Sequence, residues 1–182
     1  MKDDLSPIYQ QPQGQILLFG PSRSGKSYLT NEFTKMGLLA IDLEKVNNLI
    51  KWYSDKTGEM ISKHKASTTP DWYKTHHFLI NRKDTAEFLK AQPDCIILAH
   101  AWNILECLDL FDKIVYLYVP PEELDRRMQI IRSDHNGDGN KSSIAFMKQR
   151  HSERLKDAKR LGIPIIDATQ TPEDIYKVIA TL

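Results

Sequence analysis

The sequence predicts a three-layer α/β/α domain built on a central five-stranded, mostly parallel sheet. Five short apolar runs alternate along the chain with amphipathic segments. Those runs are rich in aliphatic and β-branched residues, without strict alternation, which is the pattern of strands covered on both faces. The first run leads directly into Gly20-Pro21-Ser22-Arg23-Ser24-Gly25-Lys26-Ser27, a gap-free G-x-x-x-x-G-K-[ST] string. A helical pattern follows at once, so the string has the strand-loop-helix setting that gives it chemical meaning.

Residues 1–14 are polar and read as a flexible N-terminal lead-in, and residues 15–182 as a single domain. Gln15 to Phe19 is the first strand. Leu29, Phe33 and Met36 mark the buried face of the first helix, and Gly37 stands where a C-cap glycine belongs. Leu38 to Asp42 is the second strand. Residues of about 46–92 form a substrate-side insertion, read as a short helix over Val46 to Tyr53 and two more over Asp71 to Ile80 and Asp84 to Gln92. Asp94 to Leu98 is the third strand and Ala101 to Leu110 a helix. Lys113 to Val119 is the fourth strand, stopped by Pro120-Pro121, from which a helix runs to about Ser133. A glycine-containing break over 134–140 precedes a long helix from Ser142 to Leu161. Ile163 to Ile166 is the last strand. Thr171-Pro172-Glu173-Asp174 opens the final helix as cap, first-turn proline and N3 carboxylate, with Ile175, Val178, Ile179 and Leu182 expected inward.

A chain of 182 residues, 41% hydrophobic and 27% charged, has the composition of a soluble globular domain. It is long enough to bury about 70% of its unfolded surface without metals or disulfides. The net charge of +1 gives no global field toward nucleic acid or an anionic membrane, so any anion site must be local. Cys95 and Cys107, the two cysteines, lack metal-ligand spacing and read as reduced thiols of a cytoplasmic protein. No apolar run reaches membrane-spanning length, and a monomer or homodimer is expected.

The glycine loop supplies inward-pointing backbone N–H groups at a positive helix end, a cradle for phosphate oxygens. Gly20 through Tyr28 are therefore the expected nucleoside triphosphate contacts. Lys26 would reach the terminal phosphates and the Ser27 hydroxyl would ligate Mg²⁺. Ligands of such sheets sit at the strands' carboxyl ends, where Gly20, Asp42, His100 and Pro120 all fall.

Taken together, the loop, Asp42-x-Glu44 after strand two, the arginine-bearing helix with Arg126, Arg127 and Arg132, and the small-residue turn after strand five resemble the P-loop small-molecule kinases. The group intended is that of shikimate, gluconate and adenylate kinases, and the likeness runs from about Gln15 to Leu182. The chain is also similar to bacterial kinase-like proteins of unknown substrate, through Asp71-Trp72-Tyr73 and Ile166-Asp167-Ala168-Thr169-Gln170. The resemblance implies ATP and Mg²⁺ as cofactors and a small-molecule acceptor. It implies that Asp42 positions the metal and Glu44 holds or activates the acceptor hydroxyl. It also implies a lid over about 132–150, with Arg132 and Arg127 neutralising charge on the phosphates; Arg126 is expected to pair at the surface. Trp72 with His76 and Tyr73 with His77, at helical spacing, together with Asp71, His100 and Asn103, are candidate acceptor contacts, with core packing the alternative.

Two further motifs fail on context. Asp134-x-Asn136-x-Asp138-Gly139 begins like a calcium-binding loop, but the twelfth position is Ala145 rather than a bidentate glutamate. Asn81-Arg82-Lys83-Asp84 copies a guanine-recognition motif without the apolar strand that must precede it. The third strand ends Leu98-Ala99-His100-Ala101, with no metal-binding acid and no glycine run, so shikimate itself is not the expected acceptor. The leading expectation is phosphoryl transfer from ATP to a nucleoside, nucleotide or sugar or hydroxy acid. A non-catalytic ATP-binding module and a nucleic-acid end kinase are the alternatives; the near-neutral charge counts against the latter.

Overall fold

The computed structural model describes residues 9–61, 74–130 and 141–182, with the backbone alone for residues 130 and 141–144. In chain order the first half holds β1 (Gln15–Phe19), α1 (Lys26–Lys35), β2 (Ala40–Asp42), a 3-10 turn (Leu43–Lys45), β3 (Ile50–Ser54), β4 (Met60–Ile61) and β5 (His76–Ile80). Then come α2 (Arg82–Lys90), β6 (Cys95–Ala99), a 3-10 helix (Ile104–Leu110) and β7 (Lys113–Tyr118). The chain closes with α3 (Pro121–Ile130), α4 (Lys141–Arg160), β8 (Ile165–Asp167) and α5 (Pro172–Ile179).

The central sheet has the order β2-β6-β1-β7-β8, and every pair in it is parallel. Because successive side chains of a strand point to opposite faces, β1 feeds two cores at once. Ile16 and Leu18 pack with Leu29 and Phe33 of α1, Leu124 of α3 and Ile175 of α5. Leu17 and Phe19 pack on the other side with Leu89 of α2, Ile104 and Cys107 of the 3-10 helix and Ala158 of α4. Burying each such large aliphatic or aromatic side chain is worth about 1.5–3 kcal/mol, so the middle strands are the most strongly held part of the molecule. The five-stranded parallel sheet with helices on both faces is the architecture that the sequence predicts. Among the described residues no helix is long and apolar enough to cross a membrane.

A second sheet, not expected from the sequence, lies over the carboxyl edge of the first. Its order is β4-β3-β5 with antiparallel pairing, Trp52 opposite Phe78 and Ile50 opposite Ile80. The helices expected over Val46 to Tyr53 and Asp71 to Ile80 are thus corrected: residues 46–49 and 74–75 form turns, and Ile50–Ser54 and His76–Ile80 are strands. Val46, Leu49, Ile50 and Tyr53 fit a helical period, but the aromatic and β-branched residues of 50–54 and 76–80 favour a pleated ribbon once each has the other to pair with. His76 and His77, expected on helical faces with Trp72 and Tyr73, lie instead on opposite sides of β5; Asp71, Trp72 and Tyr73 lie outside the described residues. The segment after β6 is a 3-10 helix rather than an α-helix, and Val178 and Leu182, expected inward, are exposed.

Asn103 joins the two sheets. Its Oδ1 accepts from the Ile80 N–H at 2.8 Å and its Nδ2 donates to the Ile80 carbonyl at 3.1 Å, while the Trp102 N–H donates to the Phe78 carbonyl at 2.7 Å. The amide serves as a backbone clamp rather than an open acceptor contact. Asn103→Ala should leave both Ile80 groups without their partner at a cost of about 1–3 kcal/mol. Thermal unfolding should register this as a fall of roughly 2–4 °C per kcal/mol, and an unchanged melting temperature would refute the clamp.

Candidate nucleotide and acceptor site

The loop between β1 and α1 has its shape imposed at two glycines. Gly20 lies so close to β7 that an ideal Cβ would stand 2.7 Å from the Leu117 carbonyl oxygen and 3.0 Å from Ser24 Oγ. Gly25, the residue before α1, has φ of 90°, a conformation that costs side-chain-bearing residues dearly. Arg23 adopts φ of 71° nonetheless, a left-handed position costing about 1–2 kcal/mol. Arg127 compensates from outside the loop. Its guanidinium donates to the Arg23 carbonyl at 3.2 Å and the Ala168 carbonyl at 3.3 Å, with Nε bound to Glu123 at 2.6 Å. Arg126 pairs with the same Glu123 on the exposed side of α3.

Lys26 is buried, and its ammonium donates into the loop itself, to the Pro21 carbonyl at 2.9 Å and the Gly20 carbonyl at 3.3 Å. Burial lowers its pKa, while Glu44 and Asp42 pull in the other direction. Ser27 Oγ donates to Asp42 Oδ2 at 2.7 Å, and Asp42 Oδ1 accepts from the Glu44 N–H at 3.2 Å. Lys45 approaches the same carboxylate at 3.6 Å. A hydroxyl and a carboxylate side by side at a helix N-terminus are hard oxygen donors suited to Mg²⁺, which takes one or two protein groups and fills its shell with phosphate oxygens and water. Among the described residues no cluster of three or more His, Cys, Asp or Glu forms a metal cage.

Gly20, Pro21 and Ser22 form one wall of a cavity of ≈ 500 Å³. Glu44 and His100 lie beside them, Trp52 and Phe78 come from the small sheet, and Trp102 follows β6. Phe146, Arg150, His151 and Arg154 of α4 close the far side. Of the sequence candidates, Glu44 and His100 therefore meet the glycine loop. His76 bonds Thr75 and does not line the cavity, Tyr28 is exposed on α1, and Arg132, Asp71 and Trp72 lie outside the described residues. Arg150 and Arg154, four residues apart and so on one face of α4, bring two positive charges to the cavity beside that of Lys51. Their signal was the set Arg150, His151 and Arg154, which the helical period puts on one face.

Two histidines sit in this cavity in neutral form. Burial, with Lys26 beside it and Arg154 and Arg150 beyond, pushes His100 down to about 3. Burial likewise lowers His151, whose Nε2 donates to the Val119 carbonyl at 2.9 Å, so that Nδ1 receives the Tyr116 hydroxyl at 2.7 Å. An unfolded histidine titrates near about 6.5. Between that value and about 3 the unfolded chain binds a proton at position 100 that the folded chain refuses. This stability is thus present above the unfolded pKa and is lost as pH falls through the window. Melting temperatures should drop from pH 7 to pH 5, and His100→Gln should flatten that drop; an equally steep profile in the variant would show that His100 is not its source.

No protein-family model matches the sequence, and no curated protein sequence matches it. Solved structures do match. A gluconokinase from Sinorhizobium meliloti 1021 superposes with a TM-score of 0.52 at 18% identity, covering 94% of this chain and 92% of its own. Shikimate kinases from Aquifex aeolicus vf5 and Bacteroides thetaiotaomicron give TM-scores of 0.48 and 0.45, each at 16% identity over 92% of this chain and 94% of theirs. The fold assignment rests on the first. This chain has the fold of the P-loop small-molecule kinases.

Proposed function

We propose that the protein is an ATP-dependent phosphotransferase that moves the γ-phosphoryl group to a small acceptor held in the cavity beside the glycine loop. The observation that carries this reading is the junction itself. The loop that would cradle the donor phosphates forms a wall of the same ≈ 500 Å³ cavity that Glu44, His100, Arg150 and Arg154 line. A cavity of that size suits a metabolite rather than a polymer.

Phosphoryl transfer asks the protein mainly for positioning and charge neutralisation. Lys26 and the loop N–H groups would hold the triphosphate, with Lys26 exchanging its two loop carbonyls for phosphate oxygens. Ser27 and Asp42 would hold Mg²⁺. The ion supplies charge neutralisation between the phosphates. Glu44 would accept the hydrogen bond of the acceptor hydroxyl and take up its proton as the hydroxyl oxygen forms the new bond to phosphorus and the bond to the ADP oxygen breaks. Arg127 acts through the loop, by fixing the Arg23 carbonyl, and the gluconokinase fold supports the donor half of the assignment.

Lys26→Ala should weaken Mg-ATP binding by calorimetry while circular dichroism reports an intact fold, and transfer should fall by at least about a hundredfold. Normal ATP affinity in the folded variant would sink the loop assignment. Asp42→Asn should raise the Mg²⁺ concentration needed for half-maximal rate and reduce turnover more than ATP affinity. Retention of normal metal dependence would mean that the ion is held elsewhere.

A further inference from the structure

The far half of the cavity has a chemistry that neither the glycine loop nor the fold requires. Trp52 lies against Phe78 with ring centroids 5.1 Å apart and against Trp102 at 6.4 Å, and Trp102 in turn meets Phe146 at 5.6 Å. Four rings from β3, β5, the turn after β6 and α4 thus make one continuous aromatic wall. Cations converge on it. The Arg150 guanidinium sits 4.7 Å above the Trp102 ring, and Arg154 donates to the Trp102 carbonyl. Their carboxylate partners, Glu153 and Asp157, stand at 3.5 Å on the same helix and outside the cavity lining. Within the described lining, Lys51, Arg150 and Arg154 face the single carboxylate of Glu44.

Groups that would read hydroxyls are scarce there. The Tyr116 hydroxyl and both His151 nitrogens are taken up by one another and by the Val119 carbonyl. A polyhydroxylated acid would bury several hydroxyls against ring faces whose hydrogen-bonding capacity is limited to the indole N–H groups of Trp52 and Trp102, at a cost for each hydroxyl left unpaired. A planar ring would instead gain stacking area, and an anion beside it would meet two guanidiniums in poorly solvated surroundings.

We propose that the acceptor joins a flat aromatic ring to one anionic group, a carboxylate or a phosphate, and is not a sugar acid. This rests on the phosphotransferase reading of the same site. The ring lies on the wall of Trp52, Phe78, Trp102 and Phe146, and the anion meets Arg150 and Arg154.

Calorimetric titration of the full chain tests it with four probe sets. These are 4-hydroxybenzoate, the nucleoside monophosphates, the corresponding neutral nucleosides, and gluconate with shikimate. At least one ring anion should bind about tenfold or more tighter than the neutral nucleosides and the two sugar-type acids, as loss of a charge-assisted contact predicts. Whether the benzoate or a nucleotide gives that result identifies the source of the ring. Arg150→Gln and Trp102→Leu, in separate folded variants, should each weaken it by about tenfold while Mg-ATP affinity stays within about twofold of wild type. Tighter binding of gluconate or shikimate, equal binding of neutral nucleosides, no binding of any probe, or indifference to both substitutions would overturn the proposal. Mg-ATP titrated alone separates the two readings: a chain that binds a ring anion through Arg150 but not Mg-ATP keeps this inference and loses the kinase one.

Discussion

The absence of a side chain at Gly20 is the constraint on which the site depends. β1 is paired on both edges and buried on both faces, so its end can be aimed but not moved. With the Leu117 carbonyl 2.7 Å from where a Cβ would stand, the chain leaves the strand by one narrow path. That path puts Lys26 under the loop and Ser27 opposite Asp42 of β2. β2 is separated from β1 by β6, so a bond across two strand spacings reports how closely the loop's rigidity is transmitted to the Ser27–Asp42 pair. Arg127 adds the last restraint, tying the strained Arg23 peptide to the turn after β8.

Two different kinds of packing meet at the cavity. The parallel sheet behind the loop is dry, aliphatic and fixed by long-range strand pairing. The antiparallel sheet in front is small, with half-buried aromatic residues toward the cavity, and is attached at one end, through buried Ile50 and Ile80, Asn103 and the Trp102 N–H. Local opening is drawn from the elements with fewer buried apolar contacts. The physics therefore divides the cavity: the side formed by the glycine loop is rigid, whereas the aromatic side can adjust to what enters it.

How much was legible follows the same division. The parallel core could be read because each of its strands is an apolar run bounded by turn residues, and because the glycine loop announces its own conformation in its spacing. The pairing of Ser27 with Asp42 was foreseeable from the rule that strand ends carry the ligands. The small sheet was not, since β3 and β5 are each five residues long, separated in sequence, and individually compatible with a helical period. Only their mutual pairing decides the matter, and one sequence does not display it. The roles of Arg150, Arg154 and Trp102 were hidden for a related reason: a residue's position in a helix or turn does not say which cavity it faces.

The two cysteines give this architecture a chemical gauge. Cys95 opens β6 and Cys107 lies in the 3-10 helix after it, both buried, and burial holds both thiols protonated, with Cys95 pushed up to about 11. Only the thiolate reacts readily with alkylating agents, so neither sulfur can be modified in the closed fold. Each becomes reactive when its own segment opens, and β6 is the strand that presents His100 to the cavity. The rate at which each thiol is alkylated under native conditions would therefore time the excursions of the site's supporting strand, with no label added to the protein.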